Sequence, residues 1–257
     1  MIKAAFFDVD GTLLSHKRKQ VPPSARAALE KLKAAGIPCI VATGRQISEM
    51  EKLPIADIAF DGYLTLNGQL MLDGEKNIVF SKPITGEVKD FLIRQFQEHT
   101  YPALLVEEKY TYLNFVTEHV HAVQEAISSA VPPLDTYKGG EIYQVCAYLR
   151  PDEAYHLDPI VGDCVLTRWH FGGMDVVAKG GGKVSGIQEY LDQTGLKPEE
   201  IIAFGDGEND IEMLRFAGIG VAMGNAVEEA KAAANYVTAD IDDDGIEKAL
   251  KYFGLIE

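Results

Sequence analysis

The chain has 257 residues, of which 47% are hydrophobic, and a formal net charge of −15. This length allows one large domain or two smaller ones. The negative charge argues against nucleic acid as a partner, because phosphate backbones bind basic surfaces. The sequence has no run of about 18 apolar residues, so we expect no membrane span, and its N-terminus lacks the basic start and apolar stretch of a signal peptide.

The scattered cysteines Cys39, Cys146 and Cys164 lie in apolar contexts, which predicts buried free thiols and a location in the reducing cytoplasm.

The first predicted strand ends in two carboxylates. Ile2 and the apolar run 4–7 are typical of a buried strand, and Asp8-Val9-Asp10-Gly11-Thr12 follows directly. Residues i and i+2 of a strand point to the same side, roughly 6–7 Å apart. Acids at the end of a buried strand are costly unless they are paired, and Mg²⁺ prefers oxygen ligands. The segment therefore predicts either a metal site or an Asx turn that closes the strand.

A helix and a second strand come next. Residues 24–35 carry apolar side chains at helical spacing, and the apolar run 37–42 ends in Thr43-Gly44-Arg45. Strand, helix, strand is the unit that builds a parallel sheet. The Thr43 hydroxyl is a candidate to bind a phosphoryl oxygen, to cap a helix predicted over 46–53, or to do both.

The middle of the chain shows a different, α+β pattern. Asn67-Gly68 between two apolar segments predicts a hairpin turn. Further strands are predicted over 104–107, 110–115, 142–149, 164–169 and 175–178. The connections at 81–83 and 179–182 are short, and the second is rich in glycine. We expect an inserted lid, with a single domain that carries an antiparallel extension as the alternative.

The C-terminal part returns to the alternation of strands and helices. Lys183 opens a predicted helix over 183–194, directly after three glycines. A strand over 201–204 ends in Gly205-Asp206-Gly207-Glu208-Asn209-Asp210. A strand over 219–222 and helices near 208–216, 227–234 and 247–253 complete the pattern. All three strands that end in polar residues carry them at the carboxyl end, which is where ligands bind in open α/β sheets.

These motifs together resemble the haloacid dehalogenase-like (HAD) hydrolase superfamily: Asp-x-Asp, then Thr, then Lys, then Gly-Asp-x-x-Asn-Asp. The middle of the chain resembles the large cap of the Cof-like subfamily. The resemblance implies an α/β fold with a Rossmann-like parallel-sheet core formed by residues 1–82 and 180–257. An α+β cap domain that sets substrate specificity would occupy residues 83–179. Most members of the family are Mg²⁺-dependent phosphatases.

The resemblance also implies roles for the acidic residues. Asp8 would be the nucleophile that forms an aspartyl-phosphate. Asp10 would be the acid–base group, and its backbone carbonyl rather than its side chain would reach the metal. Mg²⁺ would be held by Asp8, that carbonyl and Asp206. Asp210 would complete this acidic site and orient Lys183 or a metal-bound water.

The remaining motif residues would recognise the substrate. The phosphoryl group would be bound by Thr43, Gly44, Lys183 and Asn209, of which Thr43 and Lys183 also count as catalytic groups. We prefer Lys183 over Lys179 as the cationic clamp because Lys183 directly begins a helical run. Arg45 either contacts the substrate or only fixes its loop.

The combined prediction is a cytoplasmic, Mg²⁺-dependent phosphatase that hydrolyses small phosphorylated metabolites such as sugar phosphates. We expect no nucleic acid or membrane partner, and the sequence does not indicate an oligomeric state. A phosphomutase or phosphotransferase on the same scaffold is one alternative. A non-catalytic, phospho-binding regulatory protein is the alternative from another class. The segment 180–183 resembles part of a P-loop but lacks its first glycine and its Ser/Thr, so ATP binding is not predicted.

Overall fold

The computed structural model describes residues 1–127 and 129–257. The chain divides into two compact units. The first is formed by Met1–Ser81 together with Gly182–Glu257, and the second by Lys82–Gly181. The predicted α/β class with a parallel sheet is confirmed.

The first unit begins with alternating strands and helices and continues into an antiparallel segment. Its N-terminal elements are β1 (Ala4–Phe7), α1 (Pro23–Ala34), β2 (Cys39–Ala42), α2 (Ile47–Met50), β3 (Gly62–Thr65), β4 (Leu70–Asp73) and β5 (Ile78–Ser81). The predicted hairpin is confirmed, since β3 and β4 pair antiparallel. Its turn is longer than the Asn67-Gly68 pair, because Thr65 and Leu70 are the last paired residues.

The second unit has its own antiparallel sheet and core. Its elements are α3 (Gly86–Gln97), β6 (Ala103–Glu107), β7 (Thr111–Leu113), α4 (Glu118–Ala126), β8 (Ile142–Ala147), β9 (Cys164–His170) and β10 (Gly173–Ala178). The strand order is β7-β6-β8-β10-β9. One face of this sheet contributes Leu105, Val145 and Val176 to a buried cluster that also contains Leu92 and Phe96 of α3.

The chain then completes the first unit. Its last elements are α5 (Lys183–Thr194), β11 (Ile201–Gly205), α6 (Ile211–Phe216), β12 (Ile219–Ala222), α7 (Glu228–Ala233), β13 (Tyr236–Val237) and α8 (Gly245–Tyr252). Short 3₁₀ helices also occur along the chain, at Leu66–Gly68, Pro151–Ile160, Pro198–Glu200, Glu208–Asp210 and Ile241–Asp243. The sheet order is β13-β12-β11-β1-β2-β3-β4-β5. Pairing is parallel from β13 to β3 and antiparallel from β3 to β5.

The centre of this sheet brings the three polar strand ends together. β1 lies between β11 and β2, and Phe7 pairs with both Phe204 and Val41. The rings of Phe7 and Phe204 stack with centroids 5.0 Å apart. Because the three strands end within one residue of this register, the segments that begin at Asp8, Thr43 and Asp206 leave the sheet side by side.

Helix α5 packs on one face of the same strands. Ile187 is fully buried in a cluster with Phe6, Ile40 and Ala203, and each such side chain contributes roughly 1.5–3 kcal/mol relative to exposure. Residues four apart lie on the same face of a helix. Burial of Ile187 therefore points Lys183, one turn earlier, toward the same sheet.

Some predicted boundaries were wrong. The helix expected over 46–53 is only Ile47–Met50, and Gln46 rather than Thr43 occupies its N-cap position. The helix expected from residue 208 begins as a 3₁₀ turn and becomes α-helical at Ile211. In the part of the chain that the structure describes, no helix has the length and apolar character needed to cross a membrane.

Candidate active site

Asp8 is fixed at the end of β1 by the backbone around it. Its N–H donates to the carbonyl of Phe204 at 3.0 Å, and the residue is only 5% exposed. The chain then turns tightly, with the N–H groups of Leu13 and Leu14 donating to the carbonyl of Val9. Gly11 in this turn has φ +83°, and a Cβ there would overlap the Asp206 carboxylate. Only glycine therefore allows this close approach.

Lys183 forms a buried clamp between two carboxylates. Its Nζ donates to Asp8 Oδ1 and to Asp210 Oδ1, each at 2.6 Å, and the residue is 2% exposed. Burial alone would lower the pKa of Lys183, but attraction to Asp210 and Asp8 outweighs burial and raises it. Lys183 is therefore held charged. The rival residue Lys179 lies in the second unit.

Asp210 ties the loop after β11 to this clamp. Its Oδ2 accepts hydrogen bonds from the N–H groups of Asp206 and Gly207, both at 2.9 Å, while its Oδ1 accepts from Lys183. A Cβ on Gly205 would lie 2.5 Å from the Asp210 Cγ. Of the two roles predicted for Asp210, contact with Lys183 is the one seen in the structure.

Asp8, Asp206 and Asp210 form a carboxylate group suited to a cation. Each presents a carboxylate oxygen, and these oxygens all lie within 4.8 Å of one another. Burial, followed by repulsion from Asp210, raises the pKa of Asp206 to about 7, although a hydrogen bond from Thr12 Oγ1 opposes this. Burial and the neighbouring carboxylates also raise the pKa of Asp8 well above its usual value. Three acids around one ammonium leave excess negative charge, and an all-oxygen donor set fits a hard divalent cation.

Asp10, also predicted at the metal site, has its side chain engaged elsewhere. Arg45 Nε donates to Asp10 Oδ2 at 2.5 Å and Arg45 Nη2 to Asp10 Oδ1 at 2.8 Å. The Arg45 backbone N–H donates to Thr43 Oγ1 at 3.1 Å. Such bidentate guanidinium–carboxylate pairs are the strong, directional type of ion pair. The pair links the ends of β1 and β2, and the Thr43 hydroxyl stabilises the loop between Thr43 and Arg45.

The turn between β3 and β4 joins two of the predicted substrate-binding segments. Asn209 Nδ2 donates to Asn67 Oδ1 at 3.3 Å. The Asn67 amide also lies next to Gly44, where a Cβ would be 3.1 Å from Asn67 Oδ1. The structure thus brings Gly44, Asn67 and Asn209 together.

The sequence model of the haloacid dehalogenase-like hydrolase family matches residues 5–250, a range that includes every residue of this site. The chain belongs to this family. The resemblance predicted from the motifs is confirmed, and the chain is an enzyme of the HAD phosphatase type.

One relative and two solved structures match this chain over nearly the whole length of both partners. YkrA of Bacillus subtilis (strain 168) is 32% identical over 99% of both chains. The structure is similar to that of BT1666 of Bacteroides thetaiotaomicron, studied among phosphatases of the HAD superfamily, with a TM-score of 0.91, 34% identity and coverage of 100% of this chain and 96% of that one. It is also similar to BT4131, a HAD subclass IIB sugar phosphatase, with a TM-score of 0.84, 38% identity and coverage of 99% and 100%.

Sequence reasoning missed two residues that shape this HAD site. Thr12 donates from Oγ1 to Asp206 Oδ1 at 2.9 Å, and its place in Asp-x-Asp-Gly-Thr was a usable signal. Asn225 donates from Nδ2 to the carbonyl of Gly11 at 2.8 Å and accepts from the N–H of Ile241 at 2.9 Å. Nothing in the sequence near Asn225 pointed to this contact.

Proposed function

We propose that the chain is a Mg²⁺-dependent phosphatase of small phosphorylated metabolites that works through an aspartyl-phosphate on Asp8. The observation that carries the proposal is the buried arrangement of Asp8, Lys183, Asp206 and Asp210. Phosphate monoesters hydrolyse extremely slowly in water, so the catalyst must lower a very large barrier. A fixed carboxylate nucleophile divides the reaction into two easier steps.

Asp8 performs the first step of the proposed mechanism. A carboxylate oxygen of Asp8 forms a bond to phosphorus while the bond from phosphorus to the ester oxygen breaks. Lys183 holds Asp8 Oδ1 at 2.6 Å, which limits rotation of the nucleophile and places a positive charge beside the transferring group. The hydroxyl of Thr43, the Gly44 N–H and the Asn209 amide would bind the phosphoryl oxygens.

Asp10 handles the proton in both steps. It donates a proton to the leaving oxygen, and then takes one from the water that attacks the aspartyl-phosphate. Both Asp10 oxygens are bonded to Arg45 in the structure. Arg45 uses one lone pair on each Asp10 oxygen and leaves the others free, and we propose that the pair opens during turnover so that the Asp10 carboxyl group can turn toward the leaving oxygen.

The metal fits the carboxylate group described above. Asp8 and Asp206, with the Asp10 carbonyl, would hold Mg²⁺, and Asp210 would stay bound to Lys183 behind them. The bound ion would offset the repulsion between the Asp8 carboxylate and an anionic phosphate ester. Loss of the Asp206 charge should weaken metal binding more than it disturbs the Lys183 clamp.

Sugar phosphates are the preferred substrate class, supported by the likeness to the sugar phosphatase BT4131. We also propose that residues 83–179 act as the substrate-specificity domain, because the residues grouped in the first unit recognise only the phosphoryl group. A cytoplasmic location is supported by the free, buried state of Cys39, Cys146 and Cys164.

The test is phosphate release from a panel of phosphorylated metabolites, with Mg²⁺, with chelator, and with Asp8→Asn. We expect release that requires Mg²⁺ and is abolished by Asp8→Asn, which keeps the shape of the side chain. Release that survives Asp8→Asn would refute the aspartyl-phosphate. Release only after addition of a bisphosphorylated sugar would indicate a phosphomutase. A stable phosphorylated protein without turnover would indicate a regulatory phospho-binding protein.

A further inference from the structure

The side chain of Asn225 joins two segments that are far apart in the chain. Its Nδ2 donates to the carbonyl of Gly11 at 2.8 Å, and its Oδ1 accepts from the N–H of Ile241 at 2.9 Å. Gly11 lies 214 residues before Asn225, in the turn that follows Asp8. An asparagine amide suits this bridge, because it carries a donor and an acceptor on one side chain. Both ends of the amide are used, which fixes its orientation.

The backbone on either side of Asn225 is attached to the segment that carries Asp206. The N–H of Val227 donates to the carbonyl of Asp206 at 2.9 Å, and the N–H of Met223 donates to the carbonyl of Gly205 at 3.0 Å. Asn225 lies between these two contacts. Its side chain therefore starts from a loop that is fixed to Asp206 and ends on the turn that follows β1.

The turn that Asn225 holds also packs directly against the Asp206 carboxylate. A Cβ on Gly11 would overlap that carboxylate, and Thr12 Oγ1 donates to Asp206 Oδ1 at 2.9 Å. The hydrogen bond from Asn225 ends on the carbonyl of Gly11, which belongs to the peptide group that joins Gly11 to Thr12. It therefore restrains the peptide group that lies between these two contacts with Asp206.

The position of this peptide group matters for the proposed metal ligands. Mg²⁺ demands a nearly ideal octahedral arrangement, with ligand oxygens at about 2.0–2.1 Å. The proposed ligands include Asp206 and the backbone carbonyl of Asp10, which directly precedes Gly11. A shift of the turn would move the Asp10 carbonyl relative to the Asp206 carboxylate. Residues that hold metal ligands in place typically change metal affinity about 10- to 100-fold when they are replaced.

A simpler role for Asn225 would be to fasten the loop that follows β12. That loop is already fastened by its backbone, since the N–H of Gly224 donates to the carbonyl of Ala239 at 2.9 Å, in addition to the contacts of Met223 and Val227. Asn225 is also an exposed residue, and a hydrogen bond that replaces bonds to water adds little to stability. The contact with Gly11 therefore matters chiefly for the turn after β1.

We propose that Asn225 is a positioning residue, whose amide holds the Gly11–Thr12 peptide against Asp206 and so sets the spacing of the groups that would bind Mg²⁺. The inference rests on the proposed Mg²⁺-dependent function and adds to it a residue outside the sequence motifs. Asn225 acts through Gly11 and Thr12 and need not contact the metal or the substrate. Its loss should therefore weaken Mg²⁺ binding and leave binding of the ester unchanged.

The experiment measures Mg²⁺ binding to wild type, Asn225→Leu and Asn225→Ala by isothermal titration with MgCl₂ in the absence of any ester. Leucine has nearly the shape of asparagine but forms no side-chain hydrogen bond, and alanine removes the side chain beyond Cβ. The control is Asn235→Leu. Asn235 is also an exposed residue of the first unit, and its Oδ1 accepts from the N–H of Gly220 at 2.6 Å. Urea unfolding in chelator and phosphate release over a series of Mg²⁺ concentrations accompany the titration.

We expect the dissociation constant for Mg²⁺ to rise about 10-fold or more in both Asn225 variants and to stay unchanged in Asn235→Leu. The Mg²⁺ concentration for half-maximal phosphate release should rise by the same factor, while KM for the ester at saturating Mg²⁺ holds. Asn225 variants that bind Mg²⁺ as wild type does would overturn the inference, whether or not they lose stability in urea. An equal loss of Mg²⁺ affinity in Asn235→Leu would also overturn it, because the effect would then follow from general destabilisation. Phosphate release by wild type without bound Mg²⁺ would refute the metal-dependent function itself.

Discussion

The carboxylates of Asp8, Asp206 and Asp210 repel one another, and Asp206→Asn should relieve this repulsion. The oxygens of Asp206, Asp8 and Asp210 lie within 4.8 Å of one another, and burial with repulsion from Asp210 raises the pKa of Asp206 to about 7. Asparagine is neutral, and its carbonyl can still accept the hydrogen bond that Thr12 Oγ1 makes to Asp206 Oδ1. The substitution therefore removes one charge and little else.

The size and sign of the effect follow from linkage. The usual pKa of an aspartate is 3.8, and the pKa of Asp206 in the folded protein is about 7. This difference corresponds to roughly 4 kcal/mol at 1.36 kcal/mol per pKa unit. A raised native pKa means that the folded protein holds the proton more tightly than the unfolded chain does. The free energy of unfolding of wild type therefore falls as pH rises from about 4 to 7 and is level above. Asp206→Asn does not lose stability in this way. Its free energy of unfolding should exceed that of wild type by little at pH 4 and by at most about 4 kcal/mol at pH 8.

The assay is urea unfolding at pH 4.5 and pH 8, with chelator and with Mg²⁺. In chelator, we expect the free energy of unfolding of Asp206→Asn to exceed that of wild type by a much larger margin at pH 8 than at pH 4.5. If Asp206 is the proposed Mg²⁺ ligand, Mg²⁺ should stabilise wild type by mass action and should stabilise the variant less. A variant no more stable than wild type at pH 8 in chelator would refute the reasoning.

Asp73→Asn is a matched control with the opposite sign. Hydrogen bonds from the Asn77 side chain, the Asn77 N–H and the Glu75 N–H lower the pKa of Asp73. A lowered native pKa adds stability above the unfolded value, and that stability is lost as pH falls through the native value. Asp73→Asn should therefore be less stable than wild type at pH 8, and Mg²⁺ should not change the difference.

Three further substitutions test the remaining contacts. Lys183→Met should cost about 3–5 kcal/mol at pH 8, because it leaves two carboxylates buried and unpaired. Urea unfolding should show a smaller cost at pH 5, and equal costs would contradict this. Gly205→Ala should displace Asp210, since the new Cβ would lie 2.5 Å from its Cγ, and lower kcat about 100-fold; an unchanged kcat would show that the loop adapts. Asn67→Gly removes the amide but keeps the left-handed backbone, so KM should rise while unfolding stays close to wild type. Lys19→Gly, also at a left-handed residue, should leave KM unchanged.

Local sequence patterns predicted the central elements well. The helix expected over 183–194 and the strand expected over 219–222 match Lys183–Thr194 and Ile219–Ala222. The helix has a clear stop, because Gly195 adopts the left-handed conformation that ends helices. Strands β5 and β13 were not predicted. β5 is an exposed edge strand and β13 has only two residues, so neither has the apolar periodicity on which such predictions depend.

The candidate site was predictable at the level of residues but not of contacts. The motifs selected Asp8, Asp206 and Lys183 because acids and a lysine at the ends of buried strands and at a helix start are unusual in sequence. The pairing of Arg45 with Asp10 was left open between substrate contact and loop support, because it depends on β1 and β2 being neighbours in register. Such contacts join residues 35 apart in the chain, and no local pattern encodes them.

The sequence motif did not predict that the Asp10 side chain would be paired with Arg45. The motif places a proposed acid–base group beside a proposed nucleophile, which suggests that both are free to react. In the structure Lys183 holds one oxygen of Asp8, the proposed nucleophile, whereas both oxygens of Asp10, the proposed acid–base group, accept hydrogen bonds from Arg45. We propose that an anionic ester competes with Asp10 for the guanidinium, since both are oxyanions that a fork of N–H donors can bind. Substrate binding would then free Asp10 for its proposed acid–base role, and the two roles considered for Arg45, loop support and substrate contact, would be successive states of one side chain.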